Sequence, residues 1–231
     1  MIDCHSHCLP QMDDGARTVR ESLLMLEEAR AQGVDTVVAT PHFYPGQETI
    51  AEFLARREAA ATELRSHLKP DTVRLLLGAE VLIRQGLSQE DLRPLCIEGT
   101  DIILVEMPFY RPPDWLFEEL ENIALEQDLT LMLAHLDRYR SFFSREKLNE
   151  LMELPNVIVQ LNGEAFLDRH NYRKLRHWLP TPNYLVLGSD MHRNDVRRPN
   201  LKPAARALRR TRVGRRWLEM AQQDAPMFLQ V

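Results

Sequence analysis

Six of the seven short apolar runs in this chain carry a histidine or a carboxylate at, or just past, their C-terminal ends. The runs occupy residues 2–7, 36–42, 73–81, 101–106, 129–135, 157–162 and 184–190. Several are almost continuously hydrophobic, as in Ile102-Ile103-Leu104-Val105. Such strands are buried on both faces, as in a parallel sheet. Helix signals separate them. Thr18 with Glu21 and Thr49 with Glu52 read as capping boxes, Gly33 closes the first helix, and Pro70 lies beyond the second. Asp114 and Ser144 stand where they would cap two more helices. This alternation predicts an α/β fold. Seven parallel strands suit a barrel, although an open doubly wound sheet shows the same alternation. No repeat, linker or low-complexity tract divides residues 1–231, so one domain is expected.

The polar residues carry the chemical information. The first run ends in His5 and His7, with Asp14 in the loop beyond it. His42 ends the second run, Glu80 lies in the third, Glu106 ends the fourth and His135 the fifth. Asp190 ends the last, and His192 follows. In a β/α barrel these ends converge on one face. His5 and His7 are two apart on a strand, so their side chains point the same way, and Asp190 and His192 repeat the spacing. One histidine at a strand end is an ordinary polar residue, and a buried glutamate can simply pair with an arginine. Nine such groups at the same relative place are another matter. Burying them together is costly unless something neutralises them, and divalent cations do so directly. Mixed imidazole and carboxylate donors suit Mn, Fe or Zn, and nine exceed the needs of one ion.

Taken in order, His5-Ser6-His7, Asp13-Asp14-Gly15, Thr40-Pro41-His42, Gly78-Ala79-Glu80, Glu106, Ala134-His135-Leu136-Asp137-Arg138-Tyr139 and Ser189-Asp190-Met191-His192 resemble the PHP superfamily. Within it the chain looks like the capsule-type CpsB/CapC protein-tyrosine phosphatases of bacteria. The resemblance implies a distorted (β/α)7 TIM-like barrel with parallel strands and three divalent ions, often manganese. It also implies an activity: hydrolysis of phosphotyrosine on the tail of a bacterial tyrosine kinase, by metal-activated hydroxide, in control of capsule or exopolysaccharide synthesis. One ion would take His5, His7, Glu80 and Asp190. A second would share Glu80 and add Glu106 and His135, and a third would take Asp14, His42 and His192. Arg138 and Arg197 would bind the phosphoryl oxygens as catalytic and substrate-binding groups. One motif departs from the family: where His-Pro-Glu-Arg-Tyr is common, this chain has Leu136-Asp137 after His135.

Other phosphate chemistries are missing their motifs. A cysteine phosphatase needs Cys-x5-Arg, but the residues six after Cys4, Cys8 and Cys96 are Pro10, Asp14 and Ile102. No Gly-x-Gly and no phosphate-binding Gly-x4-Gly-Lys loop occurs. Cys4 alternates with His5 and is expected to pack in the core, away from the ligands. Phe43, Tyr44, Phe109 and Tyr110 follow metal-bearing strands and are candidates to wall an aromatic pocket, or simply to pack in loops. The nearest rival function is a small-molecule phosphomonoesterase of the same class, such as histidinol-phosphate phosphatase. A nuclease of the same fold and a non-catalytic metal-bound scaffold rank behind it.

Net charge is −5, yet residues 193–216 hold ten Lys or Arg against one acid, Asp195. That stretch reads as a solvated helix face, as an attractor for an acidic phosphorylated tail, or as a nucleic-acid contact, the last without supporting aromatic motifs. No nucleic-acid partner is therefore expected. The N-terminus has no basic, apolar leader pattern and no run is long enough to span a membrane, so neither a signal peptide nor membrane insertion is expected. Three cysteines without a Cys-x-x-Cys pattern suit a reduced, cytoplasmic protein.

Overall fold

The computed structural model describes residues 1–193 and 195–230. Nine strands appear where seven runs were expected. They are β1 (Ile2–Ser6), β2 (Thr36–Ala39), β3 (His42–Phe43), β4 (Arg74–Leu77), β5 (Glu80–Leu82), β6 (Ile102–Glu106), β7 (Thr130–Leu133), β8 (Val157–Asn162) and β9 (Leu185–Gly188). The difference comes from two breaks. Thr40-Pro41 splits the second run, because proline offers no N–H to a ladder. Gly78-Ala79 splits the third at the same level. β2 and β3 therefore act as successive halves of one strand, as do β4 and β5.

All strand pairs are parallel. One sheet has the order β1-β2-β4 and the other β3-β5-β6-β7-β8-β9. They meet at two seams. Along the split strands, Gly78 N–H donates to Ala39 and Glu80 N–H donates to Pro41. At the other seam the last strand returns to the first: Ser6 bridges Met191, Asp190 N–H donates to His5 O (2.9 Å), and His7 N–H donates to Met191 O (2.8 Å). This is a distorted, parallel, barrel-like ring, as the family resemblance implies; the run pattern alone left an open sheet equally allowed.

Helices α1 (Val19–Ala31), α2 (Ile50–Arg65), α3 (Trp115–Glu126), α4 (Arg145–Glu153), α5 (Arg169–Trp178), α6 (Leu201–Leu208) and α7 (Arg212–Leu229) accompany the strands. Their ends follow the sequence signals closely. The Thr49–Glu52 box is complete. At α1 only half forms: Thr18 accepts from Glu21 N–H, while the Glu21 carboxylate turns to Arg17 N–H. Gly33 ends α1 at a φ of 85°, a left-handed conformation cheap only for glycine. Ser144 caps α4. Asp114 precedes α3, but its φ is helical and its side chain caps nothing.

Alternate residues divide the core. Val37, Leu75, Ile103, Val105, Leu131, Leu133 and Val159 face outward and belong to the large cluster that packs the helices. Cys4, Val38, Leu76, Leu104, Met132, Ile158 and Val186 form a second cluster inside the ring. Ala225 and Leu229 of α7 belong to it as well, so this helix stops the lower end. Asp224 of the same helix accepts from Leu185 N–H at 2.8 Å. Burial raises this carboxyl above its ordinary value. No described helix is long and apolar enough to cross a membrane.

Candidate metal centre

All nine residues singled out as ligands meet at the upper mouth of the ring. Glu80 is the hub. Its Oε2 lies 3.2 Å from His5 Nε2, 3.3 Å from His7 Nε2 and 3.0 Å from His42 Nδ1. Its Oε1 lies 2.8 Å from His135 Nε2, which is also 3.4 Å from Glu106 Oε1. Asp190 Oδ1 is 3.5 Å from both His7 Nε2 and His192 Nδ1, and 3.8 Å from His5 Nε2. Asp14, the exposed member, sits 3.3 Å from His192 Nε2 and 3.7 Å from His42 Nε2. A register shift in β1 between Asp3 and Ser6 accompanies the turn of His5 and His7 into this cluster. His135 and Asp190 hold φ angles of 32° and 49°, unusual for non-glycine residues and typical of backbone bent to serve a site.

Three groupings bring ligand atoms within 4.8 Å of one another: His5, His7 and Asp190; His7, Asp14, His42 and His192; His42, Glu80 and Glu106. The chemistry of the set fits cations. His5 and His7 point their Nε2 atoms at each other 3.1 Å apart. Buried Glu80 Oε2 and His42 Nδ1 approach to 3.0 Å but are not aligned to hydrogen-bond each other, and neither has another hydrogen-bond partner among the described residues. Orphaned atoms of this kind call for something that satisfies lone pairs from several sides. In the absence of cations, protons would have to do that work. Against burial, which lowers it, Asp13 and Glu80 hold His7 well above its ordinary value. Burial and the neighbouring His7 together push His192 down to about 4. Against burial, which raises it, His5 and His135 hold Glu80 well below the usual carboxylate range.

A second layer fixes these groups, and the ligand pattern does not point to it. Asp13 Oδ2 accepts from His7 Nδ1 (2.7 Å) and from His42 N–H (3.0 Å). Gln160 Oε1 accepts from His135 N–H (2.6 Å) and lies 3.1 Å from His5 Nδ1. Gln160 Nε2 donates to Asn162 Oδ1, and Asn162 Nδ2 donates to Asp190 Oδ2 at 2.8 Å. Contacts of this kind set ring orientation and tautomer. One signal was available: Gln160 and Asn162 repeat the two-residue spacing of His5 and His7, at the end of the one run without an ionisable residue. Beneath them Asp3 accepts from Ser189 N–H and Oγ across the closing seam, and burial raises its pKa to about 6. Gly15 is required for space, since a Cβ there would lie 2.1 Å from His7 O.

Arg138 and Arg197 stand at the rim, and both reach Asp190 Oδ2, Arg197 from 2.7 Å. The two Asp190 oxygens thus serve different neighbours: Oδ1 the histidines, Oδ2 the guanidinium groups and Asn162. Asp137, the departure from the family motif, accepts from Asn162 N–H at 2.8 Å and so ties the turn at Leu136–Ser141 to the end of β8. Tyr139 Oη donates to Met107 O from the same turn. Half-exposed Phe109 stacks on Tyr139 and on His135, with ring centroids 5.0 and 5.4 Å away. Tyr44 stacks on His42 at 5.1 Å, and Tyr110 is exposed. Of the two roles open to Phe43, pocket wall or packing, it takes the second. It is buried against Phe53, because the alternation of β3 turns it outward into the helix layer. Cys4 packs inside the ring and Cys8 in the outer core, both free thiols pushed up by burial, Cys8 to about 12.

Residues 1–229 match the family model described as "Capsular polysaccharide synthesis, CpsB/CapC". The tyrosine-protein phosphatase CpsB of Streptococcus agalactiae serotype III (strain NEM316) is 27% identical over 219 residues, covering 90% of this chain and 89% of that protein. The tyrosine-protein phosphatase YwqE of Bacillus subtilis (strain 168) is 33% identical over 166 residues, 70% of this chain and 60% of its own length. Among solved structures, one from a study of YwqE from Bacillus subtilis and CpsB from Streptococcus pneumoniae, described there as unique metal-dependent tyrosine phosphatases, superposes with a TM-score of 0.78 at 22% identity. It covers 100% of this chain and 94% of the other. With a family match from the first strand to the last helix, and the same fold, this chain belongs to the CpsB/CapC family.

Proposed function

We propose that the chain is a metal-dependent protein-tyrosine phosphatase acting on phosphotyrosine in the tail of a bacterial tyrosine kinase, in the cytoplasm, and so on capsule or exopolysaccharide synthesis. The observation that carries the reading is the assembled mouth: nine His, Asp and Glu side chains with Glu80 as their hub, two arginines at the rim, and exposed aromatic rings beside them. The names and family description of the relatives support the substrate and the pathway. Three buried, free cysteines suit a reducing compartment.

Three divalent ions, manganese first, fit the donor set. His5, His7, Glu80 and Asp190 would hold one; Glu80, Glu106 and His135 a second; Asp14, His42 and His192 a third. When bound, such ions supply an acidified water as nucleophile at neutral pH and neutralise phosphoryl charge. The chain's own residues do the rest. Asp13 and Gln160 hold the imidazoles of His7 and His5 in place. Arg138 and Arg197 offer guanidinium forks that match phosphoryl oxygens, released for that purpose from Asp190. Phe109 and Tyr44 present ring faces to a substrate ring. A tyrosine leaving group, with a conjugate acid near pKa 10, needs little protonation on departure. The site therefore works without a dedicated general acid.

The test is a substrate competition. Protein stripped of metal and reloaded with manganese is offered a phosphotyrosine peptide, histidinol phosphate and single-stranded DNA. Preference for the peptide by kcat/KM, lost on stripping and restored on reloading, is the expected result. Preference for histidinol phosphate would replace the substrate, and turnover by verifiably metal-free protein would end the metal mechanism.

A further inference from the structure

Helix α5 shares with α6 a set of cations without any carboxylate, and it carries the larger number. It carries Arg169, Arg173, Lys174 and Arg176 with no Asp or Glu. By contrast, α3 carries Glu118, Glu119, Glu121 and Glu126 with no Lys or Arg. In a protein of net charge −5, these cations are segregated. Arg169, Arg173 and Lys174 are exposed. Ion pairs on nearby elements, Lys147–Glu150 and Arg197–Glu164, do not include them, and no carboxylate among the described residues pairs with any of the four.

The position of the helix gives this charge a meaning. A cavity of about 360 Å³ opens between α5, at Asn171 and Leu175, and the turn that carries Arg138, Arg140 and Ser141. Asn162 lines it as well, so one wall of the cavity is a partner of Asp190 in the metal centre. On the far side of Arg140 a second cavity, about 560 Å³, runs past Arg145, Arg173, Lys174 and His177. A third, about 360 Å³, lies between Arg169, Arg173, Arg176 and Arg210. Asp137 and Glu164 also line the first cavity and Asp168 caps the helix, but past that turn the second and third cavities, along Arg173 and Lys174, are lined by cations and, among the described residues, by no carboxylate. Ten helical residues span about 15 Å. At ~3.3 Å per extended residue, a peptide covers that length in roughly five residues.

We infer that α5 and its flanking cavities form a docking track for an acidic stretch of the substrate polypeptide lying within about eight residues of the phosphotyrosine. The inference rests on the phosphatase reading and names the substrate class for it. Charge complementarity decides the occupant: Glu or Asp side chains satisfy Arg140, Arg173 and Lys174, while the phosphotyrosine fills the mouth. The track is separate from the basic segment 193–216 except at Arg210, so that segment contributes only its edge here.

The experiment uses the manganese-loaded full chain and three peptides that share one phosphotyrosine. One has four Glu on its N-terminal side, one has four Glu on its C-terminal side, and one has Gln at all eight places. One acidic peptide is expected to show a KM about tenfold below the Gln peptide at equal kcat. The advantage should vanish near 1 M salt, where screening acts within about 3 Å. Arg173→Gln with Lys174→Gln should erase it while leaving turnover of a small aryl phosphate unchanged. The single Arg173→Gln variant, expected to lose part of it, serves if the double variant folds poorly. Fluorescence anisotropy of the unphosphorylated acidic peptide reads docking without turnover. Loss of all hydrolysis with intact, charge-dependent binding would therefore sink the phosphatase reading and not the track. Equal KM values for Glu and Gln peptides in the unaltered protein, or a preference kept by the double variant, would overturn the track. So would α5-dependent binding of RNA or anionic vesicles with no effect of peptide charge.

Discussion

The lower and upper interiors of the strand ring are built from the same strands. β6 places Leu104 below and Glu106 above; β8 places Ile158 below and Gln160 above; β9 places Val186 below, with Asp190 just past its upper end. A step of two residues, roughly 7 Å, keeps the facing and changes the chemistry. Below, apolar side chains meet and burial is the stabilising term. Above, imidazoles and carboxylates meet, most of them equally buried, and there burial is a cost that mutual charge offsets and that cations are suited to relieve. One backbone thus holds a stabilising layer that supports a destabilised one, and the two layers should respond to mutation in opposite ways.

The sharpest break comes at Glu80. Glu80→Gln keeps the shape and removes the charge at the hub, so kcat/KM on a phosphotyrosine peptide should fall at least about a thousandfold, ~4 kcal/mol. Metal content by elemental analysis should drop, while the melting temperature of the metal-free protein changes little. A variant that unfolds instead would show the upper layer to be structural. Next comes Leu104→Ala below, expected to cost about 2–5 kcal/mol in denaturant unfolding. Its metal content per folded chain should be unchanged.

The third probe lies between the layers. Gln160→Ala removes the acceptor shared by His135 N–H and His5. Metal affinity should weaken roughly 10–100-fold, read by competition with a chelator of known affinity. The smallest effect is expected at Asp224, the buried carboxyl of the lower end. Its folded pKa is raised, so it favours the folded state below the ordinary Asp value, near 3.9, and loses that advantage as pH climbs past it. Asp224→Asn keeps an acceptor for Leu185 N–H and should remove this dependence. Urea midpoints of the two proteins should separate by under about 1 kcal/mol in favour of the variant as pH rises above 4.

The contrast between layers also explains what the sequence made legible. The residues that cluster stood out because an ionisable group at or just past the end of an apolar run is anomalous; Asp14, in the loop beyond the first run, was visible mainly through the Asp13-Asp14-Gly15 motif. Gln160 and Asn162 are uncharged, so nothing about them looked expensive, although they orient the same centre. Asp13 was visible only as part of a motif; its hold on His7 depends on a loop path that no periodicity encodes. The ring itself was legible as parallel α/β structure. The splitting of two strands was not, because it needs the close approach of Thr40-Pro41 and Gly78-Ala79 at one level of the sheet. Phe43, left open between a pocket wall and ordinary packing, takes the second, since β3 in register with β5 turns it outward beside Val81.

The seam between the last strand and the first has a temporal side. His5 and Asp190 are joined by a backbone hydrogen bond, and Asp3 with Ser189 clasps them from beneath. During synthesis the two leading histidines wait until the segment near residue 190 has emerged before Asp190 can join them. Any cation site that draws on both ends of the chain is therefore complete only once the ring has closed.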